Sequence, residues 1–245
     1  MTLLPAERLG LQHRFAELGI SCVPIGGGTA PYPIWLLGMR ELPSVAAIGL
    51  LSSEEWERAQ RFRSQKLCSR YVAAHAGLRL LVVDQFGIPP GSQQFVRNAF
   101  GKPQLAGRPD IRCSISYSGD CVLIGLARGA EIGVDLEILR PIEDALALVE
   151  TQCSIGEQKA LRRAWKMGWG FDRGFLRVWV RKEACVKALG CGLSIPLTDI
   201  ECGMGRRMTT VKFGRRLILT DVIHASDHCI NSSPCDLIIG WAQLS

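Results

Sequence analysis

Arg112-Cys113-Ser114-Ile115-Ser116-Tyr117, then Cys121-Val122-Leu123-Ile124-Gly125-Leu126-Ala127, then Ile132-Gly133-Val134-Asp135-Leu136-Glu137-Ile138 are three strand-length runs in close succession. Gly119-Asp120 and Arg128-Gly129 separate them, so they read as a β-meander. In the third run side chains alternate faces. Val134, Leu136 and Ile138 point one way, Asp135 and Glu137 the other. A half-buried strand with its polar face in water explains that alternation. So does a pair of oxygen ligands for Mg²⁺, which takes few protein carboxylates and completes its octahedron with water and phosphate.

Working outward, Ser154-x-x-Glu157 is a capping box that opens a basic helix through about Lys166. A second helix is expected over 173–189, with Phe175, Val178, Trp179, Lys182, Val186 and Leu189 along one side and Gly190 as its stop. Glu183 and Lys187 lie four apart on it and are therefore neighbours. A surface ion pair there contributes only a few tenths of a kcal/mol. Trp179 and Val186 bracket the pair, which puts it at the edge of the buried face. Arg181, Lys182 and the Ala-Leu-Gly-Cys-Gly-Leu turn after Lys187 are expected to add cations and flexible backbone beside a pyrophosphate. Short strands are expected at 211–213, 217–223 and 237–241.

Upstream, Ser52-x-x-Glu55 is another capping box. Arg58, Arg61, Arg63, Lys66 and Arg70 follow, and Leu67, Tyr71, Ala74, Leu78 and Leu81 recur at helical spacing up to about Gln85. A solvated helix face accounts for the arginines. Residues 87–110 read as loop and contain Gly101-Lys102-Pro103. Residues 1–50 are weakly patterned; Gly26-Gly27-Gly28 lacks the spacing and lysine of a P-loop. His75 falls inside the helical stretch as a core or boundary residue, with a phosphate contact as the second reading, and His224 and His228 read as structural. Helices then strands, twice over, predict an α+β fold of two similar halves dividing near residue 130.

The 245 residues suffice for one large domain or two small ones, and 47% hydrophobic with 21% charged residues is a globular balance. The longest apolar runs, such as Cys121–Ala127 and Leu80–Val83, are too short to span a bilayer. Glu7 and Arg8 interrupt any apolar leader, so a cytoplasmic address is expected. Ten cysteines without a C-x-x-C pair read as reduced, buried small hydrophobes. The net charge of +6 suits an anionic partner without choosing among a phosphorylated small molecule, an acidic protein and a nucleic acid.

Gly-Val-Asp-Leu-Glu at 133–137, followed by Trp179-x-x-Lys182-Glu183-Ala184-x-x-Lys187, resembles the signature of the Sfp-type 4′-phosphopantetheinyl transferases. The resemblance runs from about Arg58 to Leu197. Arg58 to Arg63 and Arg70-Tyr71 are similar to the family's basic N-terminal helix region. Gly101-Lys102-Pro103 matches its Gly-Lys-Pro motif, and Ser114-Ile115-Ser116-Tyr117-Ser118 stands where the family has Asn-hydrophobic-Ser-His-Ser. Cys153-Ser154-x-x-Glu157 and Gly190-Cys191-Gly192-Leu193-Ser194 match two further segments.

The resemblance implies two pseudo-twofold-related α+β halves, each a small antiparallel sheet packed with helices, with coenzyme A in the cleft between them. Residues 1–130 would form the 3′-phosphate and adenine side, and 131–245 the Mg²⁺ and pyrophosphate side. Asp135, Glu137 and Glu183 would hold Mg²⁺. Lys187 would contact the pyrophosphate, Gly101, Lys102 and Pro103 would lie along the adenine, and Arg58, with Arg61 or Arg63, would face the 3′-phosphate. Ser116 and Tyr117 would belong to the same nucleotide site. The implied reaction transfers 4′-phosphopantetheine from coenzyme A to a serine of an apo acyl or peptidyl carrier protein in polyketide, nonribosomal-peptide or fatty-acid biosynthesis. It releases adenosine 3′,5′-bisphosphate and needs no membrane or nucleic acid. Asp135, Glu183 and Lys187 would be the catalytic set, with Glu183 or a metal-bound water beside it as the base. A two-sided cleft in one chain points to a monomer. Tyr117 stands in place of the family's histidine and is neutral near pH 7, so a weaker phosphate contact with retained activity is expected. Ser114 replaces the usual Asn and Val180 the usual Ser or Thr. The competing readings are a family-like protein that binds coenzyme A without turnover, and a basic nucleic-acid-binding module. For the latter no helix-turn-helix, zinc-finger or stacking-aromatic motif is present.

Overall fold

A computed structural model describes residues 5–25, 30–39, 43–205, 208–225 and 236–244. Gly26 to Gly28, His228, Cys229 and Cys235 lie outside the described residues. The chain opens with α1 (Pro5–Glu17), β1 (Ile20–Ile25), β2 (Ile34–Met39), α2 (Val45–Gly49), α3 (Ser53–Gln60) and α4 (Gln65–Phe86). Five strands follow: β3 (Phe95–Arg97), β4 (Pro103–Leu105), β5 (Ile111–Ser118), β6 (Cys121–Arg128) and β7 (Ile132–Ile138). Then come α5 (Ala145–Gln152), α6 (Ile155–Lys166), α7 (Phe171–Leu189), β8 (Thr209–Phe213), β9 (Arg216–Ala225) and β10 (Leu237–Leu244). The strands form a sheet of order β1-β2-β6-β5-β4-β3 and a second of order β7-β10-β9-β8, antiparallel throughout. The class is α+β, with helices packed on antiparallel sheets. Among the described residues no helix is long and apolar enough to cross a membrane.

The period-two pattern of the strands sorts side chains into layers. Val122, Ile124 and Leu126 of β6 pack with Leu78 and Leu81 of α4. Leu123 of β6 and Leu36 of β2 pack instead with Val134 and Leu136 of β7 and Ile239 and Trp241 of β10. The two sheets therefore share an apolar layer, and each carries helices on its outer face. Cys22, Cys113, Cys121, Cys153, Cys185 and Cys202 are buried, Cys68 and Cys191 half-buried, and all eight are free thiols.

α7 lies against β7 and β10 at a distance set by two glycines. A Cβ at Gly133 would stand 1.9 Å from the Ala184 carbonyl oxygen, and one at Gly240 would stand 2.3 Å from that of Val180. Gly240 pairs with Asp135 across β7 and β10, so the close approach lies beside that carboxylate. α7 ends at Gly190, which adopts φ 69°.

β7 is an edge strand, and an edge leaves backbone N–H groups without a ladder partner. Serines of β5 meet them. Ser114 Oγ accepts from Val134 N at 3.0 Å and Ser118 Oγ from Ile138 N at 3.2 Å. Ser114, Ser116 and Ser118 alternate along β5, so one face of that strand stitches the second sheet to the first.

Three features depart from the sequence expectations. Residues 1–50, read as weakly patterned, hold α1, β1, β2 and α2. Pro24 sits in β1, an edge strand, where a missing N–H is tolerated. α5, in a segment with no assigned element, was also missed. Finally, the helical stretch from Ser52 to about Gln85 is two helices, broken at 61–64. The break lets α3 fold back so that Glu55 meets α4. Glu55 accepts from His75 Nδ1 at 2.9 Å and from Arg79 at 3.2 and 2.8 Å, and from the Ser52 backbone N–H at 2.9 Å in the expected capping box. Burial would raise its carboxyl, but the bonds from His75, Ser52 and Arg79 overcome this and hold it at about 2.

Arg181 and Lys182 require a correction. They are 1% and 0% exposed and face the core, away from any pyrophosphate. Arg181 pairs with Asp221 at 3.2 Å. Lys182 Nζ spends its three donors on Glu157 at 2.7 Å and on the Leu197 and Ile200 carbonyls, each at 2.6 Å. Glu157, the second residue of its own capping box with Ser154, also accepts from Cys202 N and Gly203 N at 2.8 and 3.1 Å. The helix is buried on nearly all sides, so a one-sided apolar stripe understates its packing.

Lys182→Met leaves the buried Glu157 charge without its cation and is expected to lower the unfolding free energy by about 3–5 kcal/mol; urea titration followed by far-UV circular dichroism measures this. Glu55 gives a second expectation. Its folded value lies below the ordinary 4.5, so its stabilisation is present above that pH and is lost as pH falls toward about 2. The urea midpoint of the wild type should fall from pH 5 to pH 2.5 by more than that of Glu55→Gln.

Candidate functional site

The residues singled out on β7 and α7 meet. Lys187 Nζ lies 2.7 Å from Asp135 Oδ1 and 3.0 Å from Ser116 Oγ, and Ser116 Oγ donates to Asp135 Oδ1 at 2.7 Å. The 5% exposure of Asp135 removes the reading of a solvated polar strand face. Glu137, one strand period along, accepts from Ser118 Oγ at 3.1 Å and from Arg140 at 2.9 Å. Burial pushes the Glu183 carboxyl up; the negative charge of Asp135 adds to this, Lys187 partly offsets it, and Glu137 raises it further. Asp135, Glu137 and Glu183 thus form one acidic neighbourhood with a single lysine inside it.

Whether these residues suit a divalent cation can be judged from their unmet demands. Asp135 Oδ2 is buried without a hydrogen-bond partner, and Glu183 is pushed toward its neutral form by burial first and by its acidic neighbours second. A hard cation would relieve both conditions, and its preferred ligands are carboxylate oxygens. Among the described residues no group of three or more His, Cys, Asp or Glu side chains is gathered closely enough to hold a metal ion. Asp135, Glu137 and Glu183 nonetheless offer the carboxylate oxygens that such a cation takes together with water and phosphate.

Beside the acidic cluster lies a cavity of about 370 Å³, within the range of small-molecule sites. Its basic side is built by Arg58, Arg70 and Arg97, and Lys187 joins it to the carboxylates. Gly101, Lys102 and Pro103 form another wall with Gly190 and Gly192. Lys102 Nζ is committed to Glu131 at 2.8 Å and to the Ile132 carbonyl at 3.0 Å, and Asn98 Nδ2 reaches the Gly190 carbonyl at 2.9 Å. Both contacts fasten the Gly-Lys-Pro turn to the start of β7 and the end of α7. Tyr117 lines the cavity with Arg70 over its ring at 5.3 Å. Desolvation pushes its hydroxyl up to about 12, although the residue as a whole is 38% exposed. The phenol is therefore a neutral donor near pH 7.

Of the residues proposed from sequence, Arg58, Gly101, Lys102, Pro103, Tyr117 and Lys187 share this cavity. Asp135, Glu137, Glu183 and Ser116 gather at its Lys187 end. Arg63 and Arg61 are exposed and do not line it. Arg97 was missed because 87–110 reads as loop; it lies on β3, whose hairpin with β4 sets Arg97 opposite Pro103. Phe100, in the same turn, was missed too. A hairpin reading centred on Gly101 would have found both. His75, buried at 5% exposure, also lines the cavity.

The sequence comparisons agree with this geometry. A family profile described as the 4′-phosphopantetheinyl transferase superfamily matches residues 131–226. The chain is 32% identical over 157 residues to the 4′-phosphopantetheinyl transferase HetI of Nostoc sp., covering 63% of this chain and 65% of that protein. It is 29% identical over 150 residues to the 4′-phosphopantetheinyl transferase ffp of Bacillus subtilis, covering 61% and 65%. It is 28% identical over 178 residues to the human L-aminoadipate-semialdehyde dehydrogenase-phosphopantetheinyl transferase, covering 68% and 54%. The chain thus spans less than two thirds of the length of each of these relatives. The matched segment contains β7 and α7, whose carboxylates and lysine build the acidic cluster. Residues 131–226, which carry both halves of the acidic cluster, are thus similar to the 4′-phosphopantetheinyl transferase superfamily.

Proposed function

We propose that this protein transfers the 4′-phosphopantetheine group of coenzyme A to a serine of an apo acyl or peptidyl carrier protein, with release of adenosine 3′,5′-bisphosphate and dependence on Mg²⁺. The observation that carries the proposal is the meeting of Asp135 and Lys187 at 2.7 Å beside Glu183, at the end of a basic cavity. Asp135, Glu137 and Glu183 would hold the Mg²⁺, which when bound supplies Lewis-acid stabilisation to the pyrophosphate. Lys187 offsets charge on the leaving group. Glu183, or a water beside it, accepts the proton of the serine hydroxyl. Arg58, Arg70 and Arg97 receive the 3′-phosphate, and the turn at Gly101 to Pro103 flanks the adenine. Carrier proteins are typically acidic, which suits a chain of net charge +6. The two sheets take their strands from before residue 129 and after residue 131. That division supports residues 1–130 and 131–245 as the two sides of the cleft, and, with both sides in one chain, a monomer.

The test is labelling of an apo carrier protein by fluorescent coenzyme A with Mg²⁺. Wild type should label it; Asp135→Ala and Glu183→Gln should each slow labelling by about 10²-fold or more while the circular dichroism spectrum is kept. Undiminished labelling by both variants would overturn the site assignment, and a wild type that binds coenzyme A without labelling would favour the non-catalytic alternative. Tyr117→His should tighten coenzyme A binding by about three- to tenfold, since a cationic donor replaces a neutral one. Affinity unchanged or weaker would count against a phosphate contact there.

A further inference from the structure

We propose that His75 is a further nucleotide-binding residue, which takes up a proton when a phosphate monoester enters the cavity and so separates coenzyme A from its 3′-dephosphorylated form. This rests on the coenzyme A reading above and deepens it. The starting point is one atom. His75 Nδ1 stands 2.9 Å from Glu55 Oε1, and Nε2 is buried with no hydrogen-bond partner. Glu55 is ionised and only accepts. The proton between them therefore belongs to Nδ1, and a neutral ring leaves Nε2 as a bare lone pair. An unmet buried polar atom keeps the whole cost of its desolvation. The protonated ring would instead present an N–H there, which an anion in the cavity can accept.

The groups facing His75 set the balance. From α3 come Glu55 and, over the Tyr71 ring at 5.9 Å, Arg58. From α4 come Arg79, which shares Glu55, and Tyr71, stacked on the imidazole with centroids 4.0 Å apart. From β3 comes Arg97, and from β5 Tyr117 shares the cavity lining. Burial holds the imidazole below its ordinary value, Glu55 pulls it up, and Arg97 and Arg79 push it down. Without an anion the ring is neutral near pH 7. A phosphate monoester adds a charge of about −1.5 to −2, enough to reverse the sum of two arginines against one glutamate. A ligand with a hydroxyl in that place adds none. The proton comes from solvent to Nε2, and no ligand bond changes.

The sign can be read from its competitors. Arginine does not titrate and Tyr117 titrates only at about 12. The phosphate's own second proton, of pKa about 6, is lost rather than gained among arginines. Proton uptake on binding at pH 8 is therefore the mark of His75. Binding linked to uptake weakens as pH rises, by at most about tenfold per unit for one proton.

The experiment is calorimetric titration of the full chain with coenzyme A and with 3′-dephospho-coenzyme A, with Mg²⁺, at pH 8 in two buffers of different ionisation heat. Uptake approaching one proton is expected with coenzyme A and none with the dephospho form. His75→Gln should abolish the uptake and lower the affinity ratio of the two ligands by about tenfold, the loss of one charge-assisted bond. A readout that needs no variant is the wild-type affinity ratio from pH 6.5 to 8.5, which should fall as pH rises. A flat ratio, equal uptake with both ligands, or uptake unchanged in a folded His75→Gln would overturn the role of His75 and leave the transferase reading standing. Binding of neither ligand would overturn both.

Discussion

α7 can lie close to its sheet because Gly133 and Gly240 have no side chains. With any Cβ at either position, the Ala184 or Val180 carbonyl would be overlapped. That approach decides what Glu183 and Lys187 can reach. Lys187 touches Asp135 at 2.7 Å; a helix lifted by the ordinary helix–sheet spacing would leave the carboxylates of β7 and α7 as two solvated groups. The burial that shifts Glu183 and strands Asp135 Oδ2 follows from the same seat. Electrostatics in this site are a consequence of packing.

Two buried ion pairs hold that seat from the other side. Lys182 and Glu157 are fully enclosed and every donor of the lysine has an acceptor, which is the condition under which a buried charge is tolerated. Arg181 pairs with Asp221 of β9 at 3.2 Å. Signature motifs thus mix two kinds of residue. In Trp-Val-Arg-Lys-Glu-Ala-Cys-Val-Lys, residues 179–187, the cations at 181 and 182 support the helix, and only Glu183 and Lys187 face the acidic cluster.

This explains what was legible in the sequence. β5 and β7 alternate, β6 is a continuous apolar run, all three are bounded by turn residues, and both capping boxes are local devices, so each could be read from a few positions. The spacing of Glu183 and Lys187 also survives, because helical neighbours are fixed by the chain itself. What could not be read is decided by partners distant in sequence. Pro24 looks like a strand breaker until β1 is known to be an edge. Ser114 looks like a lost asparagine until Val134 N is seen to need an acceptor. Arg181 and Lys182 look like surface cations until Asp221 and Glu157 are brought to them. The split of α3 from α4 depends on Glu55 finding His75 and Arg79 twenty or more residues away.

The place of β10 has a consequence for biosynthesis. It lies between β7 and β9, and its Gly240 faces Asp135 across the ladder. A ribosome-bound chain synthesised only as far as β9 therefore has both halves of its acidic cluster but lacks one of the two strands on which α7 rests. Closure of that centre waits for β10 to emerge and insert between strands already made. Late insertion of a central strand is a slow, non-local step, and until it happens β7 and β9 each expose an unpaired edge. Chaperone demand in this fold should concentrate in that interval.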